Sequence, residues 1–552
     1  MATNLKRRNF LKNSLLATGG MLLAPNFISC SSDDVNTLPS IPSDATEKNF
    51  DLGVASFDPT NSQVIIWTRY TSQQTSIKLR WQLANDEAFT NIVREGEVET
   101  DASRDYTVAI EIKDLAQNLK LYYRFANIDD KATSVVGKTL TFGASTTELK
   151  LAVASCSNYA YGYFNVYEAI NLSDADVVVH LGDYIYEYGE DTYGSFRDPD
   201  PTGEILSLDD YRRRYRQYRS DEQLKSLHQN KPFICVWDDH EVTNDAYVDG
   251  AENHQDNEGD YEERKQSALQ VYSEYLPNMT NIENNAIIYR NLQLGNLVDL
   301  IMLDTRIVGR DKQLDYADFT SASGFDGVAF QQAWTDPSRT LLGSQQKTWL
   351  KNEMATASSS WQIIGQQVLM GKMLIPAELI QLFGTAQFQV ALGELVQIKG
   401  RLAQGDSTLT QEEIARVQTV IPYNLDAWDG YFSEREEVLA TFKGKKVVVL
   451  AGDTHNAWQS DLKTAFGEKV GDELATSSVS SPGFESFVGA DGAQQLGGAL
   501  EFLIDDLNFT NLVDRGFMKL TVTAGAVKTD WTYVSSVTEK TYTTSVKNTL
   551  TI

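Results

Sequence analysis

Cysteine and positive charge are both scarce in this sequence. The 552 residues include three cysteines, Cys30, Cys156 and Cys235, which is too few for a disulfide framework. Forty-eight Lys and Arg face 76 Asp and Glu, so the formal net charge is −28. Such an acidic chain is a poor partner for nucleic acid, and we expect no nucleic-acid-binding surface. An anionic substrate would have to be attracted by bound cations.

Long hydrophobic runs are also lacking: the apolar run at 14–28 is too short to span a membrane stably. The first thirty residues hold four Lys or Arg and no acid, and Arg7-Arg8 resembles a twin-arginine export signal. Phe-Ile-Ser-Cys at 27–30 resembles a lipobox, with simple cleavage as the alternative. We therefore predict a signal at 1–30, export by the twin-arginine route, and a periplasmic or cell-surface protein held to the membrane by a lipid on Cys30.

A chain of this length exceeds one hydrophobic core of ordinary size. Residues 31–47 are rich in Ser, Asp, Pro and Thr, which predicts a flexible tether. Short alternating strands at 48–147 predict an all-β accessory domain of immunoglobulin or fibronectin type, without Cys or His. Residues 148–540 form the predicted catalytic domain, and 541–552 a tail. We expect a monomer.

The catalytic segment opens with a β-α-β pattern. Apolar runs of strand length at 151–154 and 177–181 flank a helix-like stretch at 163–172. Two strands joined in this way are parallel, and ligands gather at the carboxyl ends of such strands. The pattern therefore predicts a site just beyond residues 154 and 181.

Cys156, Asp183 and Tyr186 lie at that edge. A thiolate, a carboxylate and a phenolate together suit iron better than magnesium. The alternative is structural: Cys156 would be a small buried apolar residue and Asp183 would cap the following segment. The later motifs favour the metal site.

Two further strand ends carry potential ligands. An apolar run at 232–237 leads into Asp239, His240 and Asn244, which could supply metal ligands and a proton donor or phosphate contact; the alternative is a solvated acidic turn. A run at 446–451 leads into Asp453 and His455. Their spacing of two places both side chains on one face if the segment is extended.

Arg306 follows another apolar run, at 297–303. Its planar guanidinium could clamp a phosphate oxygen, although a structural pair with Asp304 or Asp311 is an equal alternative. The helical stretch at 375–402 holds no His, Cys or Asp, and we interpret it as an insertion or lid.

The motifs Gly-Asp-x-x-Tyr at 182–186, Trp-Asp-Asp-His-Glu-Val-x-Asn at 237–244 and Gly-Asp-Thr-His at 452–455 resemble, in this order, those of the PhoD-type alkaline phosphatases. The resemblance covers nearly the whole chain. It implies an α/β catalytic domain with the four-layer αββα sandwich of the calcineurin-like metallophosphoesterases, preceded by the all-β domain.

The resemblance also implies a metal pair of Fe(III) and Ca(II). Fe(III) would be bound by Cys156, Asp183 and Tyr186, with Asp183 bridging to calcium. Asp239 or Asn244 would serve the second metal. The ligand set would be completed by Asp453 and His455. Purple acid phosphatases have a histidine where Gln366-Gln367 stands here, and an amide oxygen in its place would favour calcium.

The function implied is an exported phosphoesterase, a hydrolase of phosphate monoesters or diesters, in which a metal-bound hydroxide attacks phosphorus in line. Asp183, His240 and Arg306 are the candidate catalytic residues. One alternative is a phospholipase D-like phosphodiesterase. Another is a surface-binding lipoprotein whose metals are only structural.

Overall fold

The computed structural model describes residues 38–282, 284 and 286–552. The export signal and Cys30 lie outside this range, as do residues 31–37 of the predicted tether. Residues 41–552 form one compact unit. Among the described helices, none has the length and apolar character needed to cross a membrane.

The strands follow the apolar runs of the sequence closely. In chain order over the described residues they are β1 (Thr46–Glu47), β2 (Val54–Phe57), β3 (Val64–Arg69), β4 (Ser76–Ala84), β5 (Ile92–Asp101), β6 (Thr107–Ile112), β7 (Lys120–Asn127), β8 (Ala132–Thr133), β9 (Gly137–Leu140), β10 (Glu148–Ala154), β11 (Val177–His180), β12 (Phe233–Cys235), β13 (Arg290–Leu294), β14 (Val298–Met302), β15 (Thr320–Ser321), β16 (Gly324–Phe325), β17 (Trp361–Gly365), β18 (Leu374–Pro376), β19 (Val420–Pro422), β20 (Val447–Ala451), β21 (Ala457–Lys463), β22 (Lys469–Ala475), β23 (Leu507–Asn511), β24 (Arg515–Thr523), β25 (Val527–Val534) and β26 (Thr544–Thr551).

The α-helices fall between these strands, mostly in the second half of the chain. Over the same residues they are α1 (Asn165–Leu172), α2 (Leu208–Ser220), α3 (Glu222–Asn230), α4 (Tyr261–Tyr275), α5 (Gly327–Trp334), α6 (Gly343–Thr356), α7 (Ala377–Leu382), α8 (Phe388–Ala403), α9 (Gln411–Gln418), α10 (Phe432–Thr441) and α11 (Glu485–Leu503). Several begin at a side-chain cap; Ser207, for example, accepts a hydrogen bond from the Asp210 N–H and forms a capping box.

Two mixed sheets carry the candidate site. One has the order β26-β25-β24-β10-β11-β12-β2-β3-β6, and the other the order β13-β14-β17-β20-β22-β21-β23. In the first sheet β10, β11 and β12 are parallel neighbours, and in the second β14, β17 and β20 are parallel. The predicted β-α-β unit is therefore present, and the carboxyl ends of its strands lie side by side.

The alternation of burial along the second sheet explains how it packs. Leu300, Ile363 and Val448 point into the same core as the strands of the first sheet. The residues next in sequence point the other way, into a core that contains apolar side chains of α6, α8, α10 and α11. Because successive strand residues face opposite sides, one sheet can be covered on both faces.

The N-terminal segment at 48–147 is built of β-strands and has an apolar core of its own, but one of its two sheets is shared with the catalytic segment. Its strands β2, β3 and β6 continue the first catalytic sheet, with Phe57 paired to Phe233 across a parallel contact. Its other strands form a separate sheet with β1, in the order β1-β8-β7-β4-β5, and β9 pairs with β7. The alternating pattern predicted strands correctly but could not reveal which sheet each joins.

The two chain ends are also tied into sheets. Thr46–Glu47, at the end of the predicted tether, pairs with Ala132–Thr133. The predicted tail contains β26, the edge strand next to β25. The predicted insertion at 375–402 begins within the short strand β18 and is mainly helical, formed by α7 and most of α8.

Candidate metal centre

Sharp turns after three strands bring the candidate ligands together. Cys156 follows β10, Asp183 follows β11 and Asp453 follows β20. All three residues have positive φ, at 62°, 53° and 61°. This left-handed backbone is uncommon outside glycine, and it redirects the chain immediately after each strand so that the side chains converge.

The first group of ligand atoms combines a thiol, a carboxylate and an imidazole. Atoms of Cys156, Asp183 and His455 lie within 4.8 Å of one another. The Tyr186 hydroxyl is 3.1 Å from Asp183 Oδ2 and 3.0 Å from His455 Nε2, and it accepts a hydrogen bond from Ser481 Oγ at 2.7 Å. Four predicted ligands therefore meet at one point.

The protonation of this group reflects its burial. Burial raises the pKa of the Cys156 thiol well above its ordinary value, and the charge of Asp183 adds to the increase. Burial lowers the pKa of His455 to about 3, so the ring is neutral, the form in which imidazole binds metals. His455 Nδ1 lies 2.7 Å from the Pro482 carbonyl, which leaves Nε2 directed at Asp183 and Tyr186.

Two further groups of candidate ligands are linked to the first by shared residues. Asp183, Asp239 and His240 form the second, and Asp238, Asp239 and Asp453 form the third. Asp183 thus belongs to the first and second groups, and Asp239 to the second and third. Burial raises the pKa of Asp183 well above its ordinary value, and the charge of Asp239 adds to this although His240 opposes it.

His240 is oriented by a buried carboxylate. Its Nδ1 lies 2.6 Å from Glu187 Oε2, and Glu187 is fully buried. Burial acts to lower the pKa of His240, but Glu187 and Asp183 outweigh it and the pKa is raised well above its ordinary value. The ring also packs on Tyr186, with centroids 4.2 Å apart.

A cavity of about 280 Å³ opens onto these groups. Its lining includes the predicted residues Asp183, Asp239, His240, Asn244, Asp453 and His455, together with Tyr188, Tyr193 and Asp245. Asn244 donates its side-chain amide to Glu252 at 3.2 Å and its backbone N–H to Glu187 at 2.8 Å. Most of the predicted site residues therefore surround one cavity.

Arg306 is fully buried and is held by carboxylates. Its Nε lies 2.5 Å from Asp238, its Nη1 2.8 Å from Asp426, and its Nη2 2.9 Å from Asp453. Burial acts to lower the pKa of Arg306, yet Asp238 and its neighbours raise it well above the ordinary value. In this arrangement the guanidinium organises the acidic ligands.

Two expectations about local geometry were wrong. Arg306 does not pair through its guanidinium with Asp304 or Asp311; Asp304 accepts the Arg306 backbone N–H instead. Asp453 and His455 are not on an extended segment, because both have a φ of 61°. A turn rather than strand alternation directs them to the third and first groups, so the predicted convergence is present for a different reason.

The amide oxygens of Gln366 and Gln367 both accept hydrogen bonds from protein groups. The Gln367 Oε1 atom accepts from the Thr305 N–H and hydroxyl, at 3.0 and 2.6 Å. The Gln366 Oε1 atom accepts from Trp428 Nε1 at 2.6 Å. The resemblance implied that glutamine stands where related enzymes have a histidine, but it did not show which groups these amides bond.

The sequence analysis missed three residues of the centre. Glu187 directly follows the Gly-Asp-x-x-Tyr motif, Asp238 lies within the motif at 237–244, and Asp426 pairs with both Arg306 and Arg310. Position within or next to a motif was an available signal for the first two. Asp426 is 120 residues from Arg306, and only the fold brings them together.

The donor set fits bound cations. Asp238, Asp239 and Asp453 crowd together, and Asp238 Oδ2 is buried without a hydrogen-bond partner. Burial of several like charges is costly unless cations neutralise them. The first group offers sulfur and nitrogen, which suit a transition metal, whereas the third offers only carboxylate oxygen, which suits a harder cation.

Parallel strands that end in a buried cluster of thiol, imidazole and carboxylates define an α/β protein with a candidate metal centre of a kind used in hydrolysis. Comparison with known families makes this specific. The PhoD-like phosphatase model matches residues 151–531, and the PhoD-like phosphatase N-terminal domain model matches residues 36–143. The chain belongs to the PhoD-like phosphatase family.

Individual relatives are similar to this protein over almost its whole chain. Alkaline phosphatase D of Bacillus subtilis (strain 168) is 32% identical over 559 residues, covering 97% of this chain and 85% of the relative. A solved structure described as "Structure of PhoD" superposes with a TM-score of 0.74 at 30% identity, covering 92% of this chain and 90% of that one. The predicted family and the predicted hydrolase of phosphoric esters are confirmed.

Proposed function

We propose that this protein is an exported, metal-dependent phosphoesterase that hydrolyses phosphate monoesters or diesters at the strand-end centre. The observation that carries the proposal is the position of Asp183. Its carboxylate lies within 4.8 Å of the ligand atoms of Cys156 and His455, and also of those of Asp239 and His240. One carboxylate that reaches both groups supports a bridge between two cations.

The chemistry of the donors supports Fe(III) in the first group and Ca(II) in the adjoining carboxylate groups. Iron would be held by Cys156, Asp183, Tyr186 and His455, because thiolate and phenolate favour it. Calcium would be held by Asp183, Asp239 and Asp453, with Asn244 within the same cavity. When bound, the ions supply positive charge to phosphoryl oxygens and lower the pKa of water.

The protein's own side chains have separate tasks in this proposal. His240, which lines the cavity and is kept protonated by Glu187, can donate a proton to the leaving oxygen. Arg306 holds Asp238 and Asp453 in place. A direct phosphate contact by Arg306 would require it to release one of these carboxylates.

The overall arrangement supports the four-layer αββα catalytic domain. Apolar side chains of the second sheet alternate between a core shared with the first sheet and a core shared with helices. Helices α1 to α4 contribute side chains to the core of the first sheet. Two sheets with helices outside each would place the strand ends at one common edge.

The export route remains part of the proposal. Arg7-Arg8 and the Cys30 box support twin-arginine export followed by lipidation. A Cys30→Ser protein should be released into the soluble fraction, and wild type should incorporate radiolabelled fatty acid. Simple cleavage without lipidation would follow if wild type took up no label.

The test of the enzymatic proposal combines metal content with turnover. Purified protein should contain iron and calcium and hydrolyse p-nitrophenyl phosphate or bis(p-nitrophenyl) phosphate. Comparison of these two esters with a phosphatidylcholine substrate separates monoesterase, diesterase and phospholipase D-like activities. Full turnover after both metals are stripped and only magnesium is returned would contradict the Fe–Ca assignment.

A further inference from the structure

Three tyrosines form a continuous aromatic surface beside the metal centre, here named the tyrosine wall: Tyr161, Tyr188 and Tyr193. The Tyr193 ring centroid lies 5.7 Å from that of Tyr161 and 5.4 Å from that of Tyr188. The wall reaches the candidate ligands directly. Tyr193 is stacked on His455 at 6.4 Å, and Tyr188 is 5.5 Å from His240.

The wall is fixed by buried polar groups behind it. Arg214, 2% exposed, donates to the Tyr188 carbonyl at 3.1 Å and to the Tyr186 carbonyl. Asn158, also 2% exposed, donates to the Tyr193 carbonyl at 3.0 Å. These bonds hold the backbone on both sides of the loop, so the rings are positioned before any ligand binds.

The rings of Tyr188 and Tyr193 face the cavity. Both line the same space as His240, His455 and Asp183, and both are only partly buried. The cavity volume of about 280 Å³ is at the small end of ligand sites, which are typically ~300–1,000 Å³. This volume suits a phosphoryl group with one ring-sized substituent.

The loop that carries Tyr188 and Tyr193 has only acidic residues among its charged side chains. This loop, which joins the two cavity-facing rings, is Tyr-Gly-Glu-Asp-Thr-Tyr at 188–193, in which Glu190 and Asp191 are exposed and no residue is basic. Asp245 lines the cavity without belonging to any of the three ligand groups. These carboxylates would repel a leaving group that carries further phosphates or carboxylates.

We propose that the tyrosine wall binds the leaving group of the substrate and selects an uncharged ring, as in an aryl phosphate or a nucleoside monophosphate. Aromatic stacking provides an attraction that a polyol such as glycerol lacks, since glycerol has no flat apolar face. This inference rests on the proposed phosphoesterase function and adds the class of ester that the site prefers.

The kinetic test compares thymidine 5′-phosphate with glycerol 3-phosphate, because both release a primary alcohol. For Tyr193→Leu and Tyr188→Leu we expect KM for thymidine 5′-phosphate to rise about tenfold more than KM for glycerol 3-phosphate. Tyr193→Phe keeps the ring and should keep the preference. Phe466→Leu, at a ring that is 98% exposed and outside the cavity lining, is the control.

A binding measurement tests the tyrosine wall independently of catalysis. Thymidine without phosphate should give saturation-transfer NMR signals with wild type and lose them with Tyr193→Leu, while glycerol gives none. Equal changes in KM for both esters, or thymidine signals that persist in Tyr193→Leu, would overturn the inference. Absence of turnover on every ester with metals bound would refute the proposed function instead. The thymidine signals would still show whether the tyrosine wall binds the leaving group.

Discussion

His240 Nδ1 lies 2.6 Å from Glu187 Oε2, and both side chains are buried beside the candidate metal ligands. Glu187 also accepts from the Asn244 N–H at 2.8 Å and from Asn253 Nδ2 at 2.9 Å. The carboxylate therefore fixes the orientation of the imidazole and raises the pKa of His240. In this respect it is a positioning residue, because its contacts are with His240 and the loop around it.

Glu187→Gln should lower kcat by about a hundredfold, the lower end of the general acid–base contribution, because an amide cannot stabilise the protonated ring. KM should change little, since Glu187 does not line the cavity. Steady-state kinetics with a monoester would measure both. Glu252→Gln, at an exposed partner of Asn244, is the matched control. A drop of the same size in both variants would contradict the positioning role.

Asp183→Asn should reduce turnover by about a thousandfold, by analogy with the loss of one oxyanion donor, which costs ~10²–10³. The reason is that Asp183 belongs to two of the three ligand groups, so its loss weakens both. Elemental analysis should find less than one equivalent of each metal. Asp336→Asn, on an exposed turn, should change neither quantity. Full activity in Asp183→Asn would exclude the bridging role.

Cys156→Ser should remove most of the visible absorption of the iron-loaded protein, because the thiolate is an electron-rich donor to Fe(III). Cys235→Ala is the matched control, since Cys235 is also a buried free thiol but lies within β12. The absorption spectrum and iron content of each variant would be recorded together. A band that survives in Cys156→Ser and disappears in Cys235→Ala would refute the ligand assignment.

Asp58→Asn should destabilise the whole catalytic unit, because Asp58 joins the N-terminal segment to Arg290. Asp58 Oδ1 and Oδ2 lie 2.6 and 2.7 Å from the Arg290 guanidinium, and both residues are buried. Leaving a buried charge unpaired costs roughly 3–5 kcal/mol. Chemical denaturation would measure this cost. Asp44→Asn, which breaks the exposed pair with Lys131, should leave the midpoint unchanged.

Glu473 should make stability decrease as pH rises. Burial raises its pKa from 4.5 to about 7, although hydrogen bonds from the Met370 and Gly371 N–H groups oppose this. Between these values the folded protein binds a proton that the unfolded chain has released. The free energy of unfolding therefore falls by up to about 3 kcal/mol across this window, at ~1.36 kcal/mol per pKa unit.

Urea denaturation of wild type and Glu473→Gln at pH 5, 6, 7 and 8 would test this dependence. Wild type should lose stability relative to the variant as the pH increases, because glutamine has no proton to release. Glu468→Gln, at an exposed position on the preceding turn, should follow wild type. Parallel curves for wild type and Glu473→Gln would show that Glu473 titrates normally.

The local elements and the chemistry of the motifs could be read from the amino-acid sequence alone. Apolar runs at 151–154 and 177–181 became parallel neighbours, with Leu151 opposite Val177, since burial on both faces requires continuous apolar strands. Cys156, Asp183 and His455 could be selected because thiol, carboxylate and imidazole followed strand ends. These signals are local in the chain, and local periodicity is sufficient to read them.

Tertiary structure decided the relationships between distant segments. Arg306 meets Asp426 and Asp453 only because separate strand ends lie at one edge, and β2 joins β12 only because their apolar faces share a core. An alternative pair of Arg306 with Asp304 was equally compatible with the sequence. Contacts between side chains more than 100 residues apart depend on how the whole sheet packs, and no short sequence pattern encodes that packing. The types of residue that can bind a metal, in contrast, are set by the chemistry of their own side chains.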